Sequence, residues 1–344
     1  LGDEGIILFD PRREASTEIS DEPQLSGAIL GLGDGDLNVL SADSSPAVTI
    51  THVRFNTDRL EATISNTTLT AEDPDAQSTL PQVIVSKPVY ADWSESILAL
   101  GGPAAVLSQS DISGGSLLSS DASVETNITN PLIADIIELP DGETGILATT
   151  GSTDSEAIHW LVGPSLTDIS AAIPAMLRGN QDVLVVTSGD INGEPGDEIF
   201  IGRSGLADLI VNVAENYSLT TTALNTSDTL DAAIVDLNGD GYIELITCRP
   251  DDTPSLSVNT ISPESLVMSN PAFNLGALAS ANCEGITTQD FDGDGTLDVA
   301  TINASDGTLT VYANDGDGGF TATMTQTIPD SVHSALAFPI PNPC

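Results

Sequence analysis

An all-β fold built from a repeated strand–turn–strand unit is what the sequence predicts, and three observations carry it. A nine-residue acidic turn recurs at residues 190–198, 236–244 and 290–298. Each copy is preceded by an apolar, β-rich run (VLVVTS, AAIVD and GITTQD) and followed by another (IFIG, LITC and LDVATI). The copies begin 46 and 54 residues apart, about the period at which self-similarity signals a repeat architecture.

The turns have the chemistry of a cation loop. In DFDGDGTLD, carboxylates fall at the first, third, fifth and ninth positions, as Asp290, Asp292, Asp294 and Asp298, and Thr296 offers a backbone carbonyl at the seventh. Calcium takes six to eight oxygens at about 2.3–2.6 Å. A short loop supplies them only by curling until alternate residues point at one centre, and Gly293 and Gly295 permit the positive backbone angles that curl needs. DLNGDGYIE repeats the set with Asp236, Asn238, Asp240, the Tyr242 carbonyl and Glu244. DINGEPGDE gives Asp190, Asn192, Glu194, the Gly196 carbonyl and Glu198, and departs at its middle, where Glu194 and Pro195 replace Asp and Gly. An EF-hand loop places its last carboxylate at position twelve and leads into a helix. Here the last carboxylate is ninth and a strand follows, so these are calcium loops between strands. One such loop has an ordinary reading as an acidic β-turn; three in one context do not.

The pattern resembles the FG-GAP or VCBS repeat of integrin α-like propellers and of many secreted bacterial proteins. The fragments LALGGPAAV and HWLVGPSL, with Gly102–Pro103 and Gly163–Pro164, resemble the Gly-Ala-Pro part of that repeat. The resemblance implies a β-propeller in which each repeat is one four-stranded blade and the loop joins its first two strands. It rests on the last three repeats; the other blades are assigned from weaker signals.

Seven blades in a single domain over 1–344 are expected: 1–45 with 332–344, then 46–81, 82–130, 131–180, 181–229, 230–282 and 283–331. The last reads GITTQD, TLDVATI, GTLTVYA and FTATMTQTI, with Asn314–Gly319 as a hairpin turn. In the fourth, PDGETG keeps Asp141 and Glu143 but has Leu139 where the first ligand would stand. VHSALAF, Val332 to Phe338, looks like a blade's first strand although the chain stops soon after, so it is expected to pair with the strand holding Ile6, Ile7 and Leu8. That pairing of N- and C-terminal strands would close the ring and remove exposed sheet edges.

Composition narrows the functions. There are 51 acidic residues against eight basic ones, and the net charge is −43. Lys87 is the sole lysine, so no basic stripe exists to neutralise phosphates and nucleic acid is excluded as a partner. Filling three loops with calcium would still leave about −37, so most of the acidity is a solvated surface suited to salty or divalent-rich surroundings. No apolar run approaches the roughly 18 residues of a membrane span. The chain opens on Leu1 without a signal-like segment, which reads as a processed or partial product. Of three cysteines, Cys248 and Cys283 fall in neighbouring blades and are a candidate disulfide, leaving Cys344 over.

Catalytic signatures are not found. His52, His159 and His333 have no zinc-ligand spacing, and neither a Gly-x-Ser-x-Gly elbow nor a phosphate-cradling glycine loop occurs. Trp93 and Trp160 could stack on a sugar, but the commoner role of such residues is packing between blades. The reading is therefore a non-enzymatic, extracellular, calcium-binding β-propeller. The resemblance implies adhesion or recognition of a protein or glycan ligand on a propeller face, or self-assembly as a structural subunit of a surface structure. The alternative is a glycan-binding lectin or a polysaccharide-active enzyme on the same propeller.

Overall fold

A computed structural model describes the strands between residues 6 and 124 and, beyond them, residues 131–150, 157–162, 167–169, 183–249, 256–266, 268, 283–303 and 306–328. All regular structure in these residues is β. Strands β1 (Ile6–Asp10) and β2 (Ala15–Ser20) form a two-stranded sheet. Four-stranded antiparallel sheets follow: β3–β6 (Gln24–Leu30, Asp36–Asp43, Val48–Asn56, Glu61–Leu69) and β7–β10 (Pro81–Val89, Ser94–Gly101, Ala104–Asp111, Ser123–Val124). Next come β11–β14 (Pro131–Glu138, Thr144–Thr150, Ala157–Val162, Thr167–Asp168) and β15–β18 (Val183–Gly189, Glu198–Arg203, Ala207–Val213, Leu219–Ser227). A three-stranded sheet, β19–β21 (Asp231–Val235, Glu244–Cys248, Leu256–Thr260), precedes the four-stranded β22–β25 (Gly285–Gln289, Asp298–Asn303, Thr308–Asn314, Phe320–Thr327).

The sheets are serial in sequence and in space. The first strand of each lies against the first strand of the next: β3 against β7, β7 against β11, β11 against β15, β15 against β19 and β19 against β22. This propeller-like stacking explains the sequence pattern of the second strands. β16, β20 and β23 are buried at every residue; for β16 and β20 neighbouring sheets cover both faces. Alternate residues of one strand therefore enter different cores. Ile199 and Ile201 join Trp160 and Leu147 between sheets β11–β14 and β15–β18. Phe200, between them, packs with Leu245 and Ala232 of the following sheet. Ile246 and Cys248 then face Val299 and Tyr312 of the last sheet. Each large apolar side chain so buried contributes about 1.5–3 kcal/mol. The last strand of the last sheet, β25, is mostly exposed.

Two expectations about the N-terminal part are corrected. The blade boundary placed at residues 45/46 falls between β4 and β5, which pair from Asp36↔Asn56 to Ala42↔Ile50 within one sheet. Residues 24–69 are thus a single four-stranded unit rather than parts of two. The run GIILF pairs with ASTEIS instead of belonging to the blade of DLNVLSAD. The expected partner VHSALAF, and with it ring closure, lies outside the described residues, as do Trp93 and Cys344; His52 lies in β5, opposite Leu40.

Adjacent sheets are also tied by polar contacts. Glu138 and Asp197 exchange two bonds across the β11–β14/β15–β18 junction: Asp197 N–H donates to the Glu138 carbonyl and Glu138 N–H to the Asp197 carboxylate, each at 2.8 Å. The Tyr217 hydroxyl donates to Asp141 across the same junction. Between the last two sheets Asp231 accepts the Ile286 N–H at 2.8 Å, and a disulfide joins Cys248 to Cys283 with their Cα atoms 5.3 Å apart.

These ties make two predictions. The disulfide closes a separation of 35 residues, so replacing both cysteines by alanine is expected to lower stability by about 3–4 kcal/mol in the chain-entropy picture, read as a fall in denaturant midpoint; unchanged stability would show the pair to be unbonded. Asp231 still meets some solvent, yet the protein packed around its carboxyl pushes its pKa up to about 6. A carboxyl whose folded pKa is raised binds its proton more tightly when folded. Its favourable contribution is full below about pH 4 and lost as pH rises through 6. Unfolding curves of the native chain and Asp231→Asn should therefore diverge in slope between pH 4 and 6 by on the order of 1–3 kcal/mol, and parallel curves would contradict the assignment.

Candidate metal centre

The three acidic turns lie at equivalent places, each joining the first strand of a sheet to its second: β15 to β16, β19 to β20 and β22 to β23. Their curl is held by the first carboxylate. Asp290 Oδ1 accepts the Gly293 N–H at 2.6 Å and the Asp294 N–H at 3.2 Å, and its Oδ2 accepts the Gly295 N–H at 3.0 Å. Asp236 does the same with Gly239 at 2.8 Å and Gly241 at 2.9 Å. Asp190 accepts the Gly193 N–H at 2.7 Å, but the sixth position there is Pro195, which has no N–H to give. The backbone answers this substitution. Positive φ falls on positions four and six in two turns (Gly239 and Gly241 at 71° and 84°, Gly293 and Gly295 at 85° and 95°) but on positions four and seven in the first (Gly193 at 74°, Gly196 at 100°). Proline's fixed φ displaces the second glycine by one residue. Gly196 is also pressed on the neighbouring turn: a Cβ there would stand 2.9 Å from the Pro140 ring.

The structure separates the acidic positions into two sets. Asp290, Asp292 and Asp294 bring carboxylate oxygens within 4.8 Å of one another, with Asp292 and Asp294 exposed. Oxygens at that spacing suit one hard cation about 2.3–2.6 Å from each. Asp294 accepts from the Thr296 hydroxyl and N–H, which hold its carboxyl below the usual range. In turn 236–244 the third and fifth residues, Asn238 and Asp240, face each other with Asn238 Nδ2 donating to Asp240 at 3.1 Å. Turn 190–198 brings no such trio of carboxylates together among the described residues.

The ninth carboxylates form the second set. Glu198, Glu244 and Asp298 are 2%, 1% and 0% exposed. Each accepts the backbone N–H of its turn's second residue: Ile191 to Glu198 at 3.0 Å, Leu237 to Glu244 at 3.0 Å, and Phe291 to Asp298 at 2.8 Å. Each also takes a donor from its own sheet's third strand: Asn212 Nδ2 at 2.9 Å, Thr260 Oγ1 at 3.2 Å and Asn314 N–H at 2.9 Å, respectively. Burial raises the pKa of all three, that of Glu198 to about 7. Expected as the ninth ligands, these residues also pin the turn to the sheet. The third-strand partners Asn212, Thr260 and Asn314 escaped the sequence reading. Their signal is a polar residue at or next to the end of an otherwise apolar run, as in LIVNV and LTVYAN.

The fourth-blade turn shows what replaces a lost loop. Leu139 is fully buried in the core, Gly142 turns back onto the Leu139 carbonyl, and Asp141 is taken by Tyr217. Trp160 is fully buried among Ile199, Ile201 and Val211, which makes it a core residue between sheets.

Comparison with known proteins agrees with this architecture. Residues 279–338 match the FG-GAP-like repeat family, which covers the last acidic turn and its sheet. No curated protein matches the chain. Among solved structures, a candidate 6-phosphogluconolactonase from Bacteroides uniformis is similar with a TM-score of 0.57 at 14% identity, covering 94% of this chain and 92% of that one. A second, from Bacteroides fragilis, gives 0.55 at 11%, covering 94% and 90%. The Pseudomonas aeruginosa periplasmic gluconolactonase gives 0.51 at 12%, covering 95% and 92%. At such identities the likeness is one of fold: the chain is a propeller-like β protein carrying an FG-GAP-like repeat.

The two sets of carboxylates should respond differently to neutralisation. In chelator, Asp298→Asn is expected to lower stability by about 1–3 kcal/mol, since an amide nitrogen then meets a buried N–H. Asp292→Asn should leave it unchanged or raise it by a few tenths, because exposed like charges repel weakly. Equal losses from both, in thermal or denaturant unfolding, would erase the distinction.

Proposed function

We propose that this chain is an extracellular, calcium-braced β-propeller module that serves adhesion, recognition or surface assembly. The observation that carries the reading is the convergence of Asp290, Asp292 and Asp294 at one end of a sheet whose repeat resembles FG-GAP. The donor set fits calcium: carboxylate and carbonyl oxygens, without a soft ligand. Asp290, Asp292, Asp294 and the Thr296 carbonyl would hold one ion, and Asp236, Asn238, Asp240 and the Tyr242 carbonyl another. Turn 190–198, with Asp190, Asn192, Glu194 and the Gly196 carbonyl, would be a third and weaker site. Glu198, Glu244 and Asp298 would supply the ninth-position ligand of each site and keep the loop's entry on the sheet. A bound ion supplies positive charge that cancels repulsion of about 1 kcal/mol per exposed carboxylate pair at 4 Å in a water-like medium.

Location outside the cell is supported by the Cys248–Cys283 disulfide and by the calcium concentrations that extracellular modules need, about 10⁻⁴–10⁻³ M. Recognition, by a face whose residues are not named by the turns, is preferred to catalysis because the FG-GAP-like repeat favours it. The propellers named as gluconolactonases share the architecture alone, and fold does not fix function. A lectin or a hydrolase on the same scaffold is the competing reading.

The first test is thermal. At tenfold excess over such a dissociation constant each site adds about 1.4 kcal/mol, so two or three occupied sites should raise Tm by several degrees and chelator should reverse it. Asp294→Ala should remove more of this response than Glu194→Ala. A Tm indifferent to calcium and chelator would end the calcium reading. A glycan array with calcium, sedimentation of the free protein, and an assay on lactones and acidic polysaccharides then separate the classes. Defined sugar binding favours the lectin, self-association favours the assembly subunit, and turnover would overturn the non-enzymatic reading.

A further inference from the structure

Asn314, the last residue of β24, is 2% exposed and uses every polar atom it has. Its N–H donates to Asp298 Oδ1 at 2.9 Å, and its carbonyl accepts from Thr296 Oγ1 at 2.9 Å. Its side-chain Nδ2 donates to two carbonyls, Leu297 at 3.0 Å in its own sheet and Leu237 at 2.8 Å in the neighbouring one. Its Oδ1 accepts the Gly316 N–H at 3.1 Å. Two carbonyls on one side of the amide and an N–H on the other fix its orientation, since the flipped amide would leave three groups unpaired.

The placement of these partners is uneven. Asp298 and Thr296 are the ninth and seventh residues of turn 290–298, whereas Leu237 is the second residue of turn 236–244. In the two preceding sheets Asn212 and Thr260, which lie opposite the ninth residue of their turns, spend their side chains on its carboxylate; in the last sheet that place is Ala313, and Asn314 comes one residue later. Asn314 leaves that task to its backbone and sends its side chain across the sheet boundary. Leu237 is in turn pinned at its N–H by Glu244, and its side chain packs in the cluster that includes Leu297. The entry of turn 236–244 is thus held on one side by its own sheet and on the other by turn 290–298.

We propose that the two turns bind cations cooperatively, with Asn314 as the positioning residue that couples them. A cation in turn 290–298 draws in Asp294 and the Thr296 carbonyl. This steadies the Thr296 hydroxyl and the Asp298 carboxylate on Asn314, and so the Nδ2 that holds Leu237. The element that responds is the entry of turn 236–244, where the Leu237 carbonyl's bond to Asn314 steadies Asp236 and Asn238 on either side of it. The coupling is reciprocal by linkage. It rests on the calcium reading above.

The test follows terbium bound at turn 236–244 of the full chain through luminescence excited by Tyr242, the exposed seventh residue of that turn, with Tyr242→Phe assigning the signal. Neutralising the other turn, by Asp292→Asn together with Asp294→Asn, is expected to weaken this binding about five- to tenfold. In an Asn314→Ala background, which keeps the backbone bonds to Asp298 and Thr296, the same neutralisation should change it less than twofold. An unchanged affinity in the native background overturns the coupling while leaving calcium binding standing. Equal weakening with and without Asn314 overturns its role as the relay. Absence of any terbium or calcium binding overturns the calcium reading itself. Should Asn314→Ala fail to fold, amide exchange decides with Asn314 intact: neutralising turn 290–298 in calcium should speed exchange at the Leu237, Gly239 and Gly241 amides, and unchanged protection there overturns the proposal.

Discussion

A buried carboxylate that accepts the amide of a residue seven positions earlier is the interaction on which this architecture turns. Glu198, Glu244 and Asp298 each sit at the first residue of a second strand that is buried along its whole length. A charge in that place is costly unless its lone pairs are filled. They are filled by the second residue of the preceding turn and by a donor from the third strand. One side chain therefore ties the entry of a turn, its exit and the adjoining strand. With the exit fixed, the turn's remaining acids have nowhere to go but outward, and in turn 290–298 three of them meet.

That division of labour explains why an acidic loop can be part of a stable sheet. The burden of charge repulsion falls on exposed residues, where water reduces it to about 1 kcal/mol per pair, while buried carboxylates are hydrogen-bonded. It also explains the divergence among the turns. Pro195 removes one amide from the set that curls around Asp190, and the chain recovers by moving its second positive-φ glycine to Gly196, against Pro140. In the preceding sheet Leu139 stands where the first acid of the turn would be. Leu139 fills the core, and Tyr217 and Asp197 reach from the next sheet to hold the turn. Successive junctions are thus closed by different means: apolar packing and side-chain bonds at one, a disulfide with Asp231 and Asn314 at another.

How much of this was legible in the sequence depends on range. The acidic turns, the strands that flank them and the division of residues 283–331 into four strands follow from local spacing: glycines where the chain must curl, and β-branched runs between them. Those rules act within about ten residues, and the chain states them directly. The pairing of Cys248 with Cys283 needed only that the two lie in neighbouring units. The N-terminal third was harder. A proline-bearing connection after Asp43 reads the same whether it separates strands or blades, and pairing of β4 with β5 decides between them.

By itself, then, the sequence determined the repeated turn, its oxygen-rich chemistry and an all-β chain without a basic surface. Tertiary structure decided which acids are buried and which converge. The ninth position is acidic in all three turns, and nothing in a nine-residue pattern distinguishes a ligand from a brace. Only the curl of the turn back onto its own strand, and the arrival of the third strand beside it, makes that carboxylate an acceptor for the protein's own amides. The reach of Asn314 to Leu237 spans 77 residues of sequence. No local rule specifies it, because it exists only once two sheets have packed face to face.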